Sequence, residues 1–163
     1  MTTKSQQLQV RLTPEQKAAL KRHARRAGLD VSSYVLSRAL PASRSRFHGI
    51  LRGLREEESP RFALAELNDF LHDLASAEFL EAVADAELEG LSVFLRNYVA
   101  AMVEQAANQK DLAPPSWVRS VEPLEGPYFA VPWRSLRLHL LRAAPIAFKR
   151  RNIFVDSAVG DRV

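Results

Sequence analysis

The 163-residue sequence predicts a mainly α-helical protein: a short N-terminal strand leads into two helices, and a longer helical region follows, with loops rich in proline and aromatic residues and a short terminal strand. Three observations predict it. Apolar residues alternate with period two over residues 8–12 and then recur at helical spacing through much of the chain. Helix-capping residues, Thr13 and Asp30, stand where that spacing begins and restarts. The net charge of +4 also hides a division: residues 1–55 carry 12 Lys/Arg against 2 Asp/Glu, residues 56–111 carry 3 against 13, and residues 112–163 carry 8 against 4. Segments so different are expected to have different partners, and the basic first third suits a polyanion.

Leu8-Gln9-Val10-Arg11-Leu12 puts Leu8, Val10 and Leu12 on one face of a strand and Gln7, Gln9 and Arg11 on the other. Thr13 is placed to cap a helix, Pro14 suits its first position, and Gln16 closes a capping box. This helix is expected from Pro14 to about Ala27, with Leu20, Ala24 and Ala27 inward, and a stop at Gly28. Asp30 is placed to cap a second helix, in which Val31, Tyr34, Val35 and Ala39 make the apolar contacts and Pro41 bounds the end. No second strand follows at hairpin spacing, so the backbone groups of residues 8–12 lack a partner inside this module. The same strand of a second copy supplies one, because two antiparallel copies satisfy each other and bury both apolar faces against four helices. The expected dimer core is Leu8, Val10, Leu12, Leu20, Tyr34 and Val35.

The run from Leu8 to Glu15, then Leu20, then Ala27-Gly28-Leu29-Asp30-Val31-Ser32-Ser33-Tyr34, resembles the ribbon-helix-helix superfamily of the Met and Arc repressors, over about residues 6–41. The resemblance implies a homodimer whose paired strands enter the major groove of double-stranded DNA, with Gln7, Gln9 and Arg11 reading base edges. Their chemistry agrees: arginine donates a bidentate pair to guanine O6 and N7, and glutamine pairs with adenine N6 and N7. The resemblance also implies a phosphate contact at the amides of Val31, Ser32 and Ser33, where a helix N-terminus favours an anion.

Residues 1–41 are therefore read as the DNA-binding and dimerisation module. Residues 42–60 read equally as a linker or as a short helix, since Phe47, Ile50, Leu51 and Leu54 recur at helical spacing. Arg44, Arg46, Arg52 and Arg55 either extend the phosphate contact or keep that segment solvated. Residues 61–163 are read as a helical partner-binding or effector region. Leu64, Leu67, Leu71 and Leu74 form one stripe there, and Leu88, Leu91, Leu95, Tyr98 and Met102 another, with a break near Ser76 or Gly90. The acidic residues among them are expected to be a solvated face. Trp117, Tyr128, Phe129 and Trp133 lie in proline-rich loops and are expected to staple those loops to a core, or else to line a partner surface. Ser135 to Arg142 reads as a helix. Lys149-Arg150-Arg151 reads as a basic surface step, followed by the terminal strand.

The absence of cysteine excludes disulfides, thiolate metal sites and a cysteine nucleophile. His23, His48, His72 and His139 have no metal-ligand spacing, and no phosphate loop or nucleophile elbow appears, so no metal, cofactor or catalytic residue is expected. With neither a signal peptide nor a membrane span, the expected location is the cytoplasm. Given the resemblance, the leading expectation is a transcriptional repressor acting as an antitoxin, with a cognate toxin held by the C-terminal region. A plasmid partition or mobilisation accessory protein is the alternative. An enzyme in residues 61–163, using the ribbon only to dimerise, is a third.

Overall fold

Local signals set the first two helices. In the computed structural model, which describes residues 9–39, 42–56 and 60–156, α1 spans Pro14–Arg26 and α2 spans Val31–Ala39. Thr13 Oγ1 accepts from the Gln16 amide at 3.2 Å while the Gln16 side chain accepts from the Thr13 amide at 3.0 Å, which completes the capping box. At the far end Gly28 adopts φ +68°, and the Leu29 amide reaches back to the Ala24 carbonyl at 3.0 Å. A side chain at Gly28 would strain that left-handed turn. Ala27, expected inward, is exposed, because the chain leaves the helix at that residue.

The chain divides into two compact units, Met1–Pro41 and Ala42–Val163. The second is built on α6 (Val93–Gln109), capped by Ser92 and apolar on most sides. Ala100, Ala101, Ala106 and Ala107 are buried, and their small side chains let neighbouring helices approach closely. On α6 pack α4 (Arg61–Asp73), α7 (Ser116–Ser120) and α9 (Ile146–Lys149), and α3 (Ala42–Glu56), α5 (Ser76–Ala82) and α8 (Arg134–Ala143) complete the described helices of the unit. Two short strands, β1 (Tyr128–Phe129) and β2 (Ile153–Phe154), pair in parallel with Tyr128 opposite Ile153. The stripe Phe47, Ile50, Leu51 and Leu54 makes α3 a full member of this unit, packed on α4 and α5.

The second leucine stripe is interrupted: Gly90 turns at φ +79°, and the helix starts only at Val93, leaving Leu88 and Leu91 in the preceding loop. A left-handed residue breaks a helix without disturbing apolar spacing. The proline-rich aromatics divide. The Trp117 indole donates to the Val83 carbonyl at 2.9 Å, Tyr128 packs at a tilt against Phe94, and Phe129 stacks on Phe154, whereas Trp133 stays exposed.

The basic step is used internally. The buried Arg151 donates to the carbonyls of Val118 at 2.6 Å and Val121 at 3.2 Å and lies 3.4 Å from the Glu104 carboxylate, which also accepts from Arg150 at 2.8 Å. Burial pulls the guanidinium below its ordinary range and the Glu104 charge opposes that pull. The Lys149 ammonium caps the end of α8 through the Arg142 carbonyl.

Candidate nucleic-acid interface

The residues expected to touch DNA lie in the first unit, which holds 8 Lys/Arg against 2 Asp/Glu over residues 1–41. Gln7 and Leu8 fall outside the described residues. Gln9 and Arg11 are exposed, as the base-reading role requires. Residues 9–12 carry no strand hydrogen bonds, contrary to the strand expected there. A strand exists only against a neighbour, and the described residues of this unit offer none.

Val10 and Leu12 are 63% and 43% exposed, and together with Leu20 and Val31 they line a groove of about 360 Å³ rimmed by Lys17 and Lys21. Three members of the expected dimer core therefore meet at one surface. Tyr34 and Val35 are half-buried on α2 instead, and Tyr34 is engaged within the chain, stacked on His23 with Arg38 over its ring. Among the described residues of the unit, only Ala24 is buried. Ordering each residue costs about 1–2 kcal/mol in backbone entropy, and isolated helices shorter than about 12–15 residues are marginal in water. One buried alanine does not offset that cost; Val10, Leu12, Leu29, Val31 and Leu36 are all partly exposed, and covering what remains is worth roughly 1 kcal/mol each.

The N-terminus of α2 differs from the simple phosphate cradle expected of it. The amides of Ser32 and Ser33 donate to Asp30 Oδ1 at 2.9 and 3.0 Å, and Ser33 Oγ donates to Oδ2 at 2.5 Å. A carboxylate thus already occupies two of the three amides. The residue that makes Asp30 a good cap also makes it a competitor for phosphate, and the sequence carried that signal in the Asp-Val-Ser-Ser order.

Three of the four arginines of α3 are engaged within the second unit, and Arg52 is exposed. Arg44 grips Asp85 bidentately at 2.5 and 3.1 Å, Arg46 lies 4.0 Å from Glu66, and Arg55 pairs with the Glu87 carboxylate and carbonyl. His48 Nε2 also lies 3.2 Å from Asp85. The Arg44 contact, aided by His48 and opposed by burial, holds the Asp85 carboxyl below its ordinary range. Positive charge on α3 is therefore largely neutralised within its own unit, which holds 15 Lys/Arg against 17 Asp/Glu over residues 42–163. Among the described residues, no group of three His, Asp or Glu is placed to hold a metal, and no helix is long and apolar enough to cross a membrane.

Residues 2–48 match a family model described as NikA-like, mobilization protein NikA. The match takes in α1, α2 and the first half of α3, and leaves most of the second unit uncovered. Neither a curated protein nor a solved structure matches the chain.

Proposed function

We propose that this chain is a DNA-binding accessory protein of the mobilisation kind, which holds double-stranded DNA as a homodimer through its N-terminal unit. The match of residues 2–48 to the mobilization-protein family carries the reading. The exposed Gln9 and Arg11, the excess of positive charge, and the open apolar groove support it. In the dimer, residues 7–12 of two copies pair as antiparallel strands, close the groove with Leu8, Val10, Leu12 and Leu20, and present Gln7, Gln9 and Arg11 to base edges. The Val31 amide, at the head of α2, faces phosphate beside the Asp30 cap. The family match favours this reading over the antitoxin reading, since no finding points to a toxin partner. The chain acts by binding, without turnover, and the second unit serves as a platform for other proteins in the cytoplasm.

The test is selection of bound duplexes from a random pool by the full chain, followed by affinity measurements on the enriched sequence and on an unrelated one. The expected result is an enriched site at which Arg11→Ala weakens binding by about 1–3 kcal/mol, with a smaller loss on unrelated DNA. Equal loss on both reduces Arg11 to a phosphate contact, and absence of any DNA binding overturns the proposal. Cooperative filling of repeated sites separates an accessory protein from a single-operator repressor.

A further inference from the structure

Every ion pair between described residues falls in the second unit. The cations of the first unit are concentrated on one helix: residues 21–26 hold four Lys/Arg and no Asp/Glu. Arg22, Arg25 and Arg26 are exposed, and the helical repeat turns them away from the half-buried Leu20 and the buried Ala24. None of the three lines the groove formed by Val10, Leu12, Leu20 and Val31. Arg22 precedes Arg25 and Arg26 by three and four residues, so all three are neighbours on the helix surface, where like charges destabilise the helix. The dipole of α1 favours positive charge in its last turn, which suits Arg25 and Arg26, but Arg22 stands before that turn. A module with one buried side chain among its described residues thus carries an uncompensated cationic face.

We infer that Arg22, Arg25 and Arg26 form a phosphate-binding face, which holds the backbone of duplex DNA without regard to sequence and separately from Gln9 and Arg11. The inference rests on the reading that this unit binds duplex DNA. Guanidinium groups pair bidentately with phosphate and keep their charge throughout the physiological pH range. Arg22 and Arg26 are about 6 Å apart along the helix, and every second phosphate of one DNA strand advances about 7 Å along the duplex. The amides at the head of α2 are a poorer anchor, because Asp30 already occupies those of Ser32 and Ser33. The arginines have no such competitor on their own helix: its one acidic residue, Glu15, lies in the first turn, about 10 Å along the helix from Arg22. A phosphate row satisfies the three cations together and removes their mutual repulsion.

Fluorescence anisotropy of the full chain on the enriched duplex and on an unrelated one, from about 0.05 to about 0.2 M salt, tests it, since each phosphate contact adds about 0.9 to the slope of log affinity against log salt. The variant Arg22→Gln/Arg25→Gln/Arg26→Gln keeps side chains of good helix propensity. It is expected to lower the slope by about 2 to 3 on both duplexes, so that across this range the parent loses about 10- to 40-fold more affinity than the variant. Preference for the enriched duplex is expected to stay as it was. Arg22→Lys/Arg25→Lys/Arg26→Lys, which keeps the charge, restores the slope. Circular dichroism checks folding, and should the triple Gln variant unfold, each single Arg→Gln change still lowers the slope by about 0.9. An unchanged slope in the Gln variants, with duplex binding retained, overturns the inference and leaves the reading of the unit standing; no duplex binding by the parent overturns both. Loss confined to the enriched duplex makes the arginines part of base reading and also overturns it. Loss of binding to phosphatidylserine vesicles, with the slope on DNA unchanged, overturns it in favour of a membrane surface.

Discussion

Residues 14–39 form two well-capped helices around one buried side chain, Ala24, whereas residues 42–156 enclose Phe47, Phe79, Phe148 and more than twenty further apolar residues in a continuous core. Both regions are helical and both are rich in charge. They differ in where burial is completed. The second unit covers most of its apolar residues with its own α3, α4, α6 and α9, and leaves single side chains such as Phe62, Val93, Leu138 and Ile146 exposed. The first leaves Val10, Leu12, Leu29, Val31 and Leu36 in water, so its stability depends on what it binds. A helix can be well formed locally and still belong to a core that one chain does not contain.

The comparison breaks most visibly at Val10. Val10→Asp places an unpaired charge in the proposed strand pair, and is expected to abolish both N-terminal dimerisation and DNA binding while the thermal transition of the second unit stays in place. A DNA-binding dimer of this variant, found by sedimentation and gel shift, removes the distinction. The converse change is Arg151→Met, which leaves the carbonyls of Val118 and Val121 without their donor and Glu104 with Arg150 alone. Loss of one partner from a buried ion pair costs about 3–5 kcal/mol, to be read by denaturant unfolding of the second unit, with DNA affinity unaffected. Thr13→Ala removes the α1 cap and is expected to cost about 1 kcal/mol in the stability of the DNA-bound dimer.

The smallest effect lies at Asp85. Its pKa is depressed in the folded chain, so its contribution is fully present above the ordinary value near 3.8 and disappears as pH falls through the lower folded value. The Asp85→Asn variant should be less stable than the parent at neutral pH by under about 1 kcal/mol, because the side chain is more than half exposed. The gap should shrink only in strongly acidic solution. A gap that closes well above the carboxylate range removes the assignment to Asp85.

The legibility of the sequence follows the same divide between local and distant. Thr13 with Gln16, Gly28, and Asp30 with Ser33 each act within a few residues, and the helix limits they set match the structure to within a residue. The stripe on α3 reads in the sequence equally as a linker or as a short helix extending the dimer core, and the structure instead places it in the second core, because spacing tells which face is apolar and not what covers it. Arg44 with Asp85 and Arg151 with Glu104 join residues 41 and 47 apart, so these charges read as solvated surface. Of the interface, Gln9 and Arg11 stand exposed as read, and Val10, Leu12 and Leu20 line one groove, while Tyr34 is occupied by His23 and Arg38.

The Asp30 cap gives α2 a built-in counter-ion. A free helix N-terminus gains strength from each anion that reaches it, but this one has two of its amides occupied before any phosphate arrives, so approach to the DNA backbone there is an exchange of one anion for another. Such an exchange releases little and holds loosely. In the proposed complex, residence on nonspecific duplex is shortened at that point of contact, and the protein is left free to hop along DNA until base-reading side chains find bases that fit.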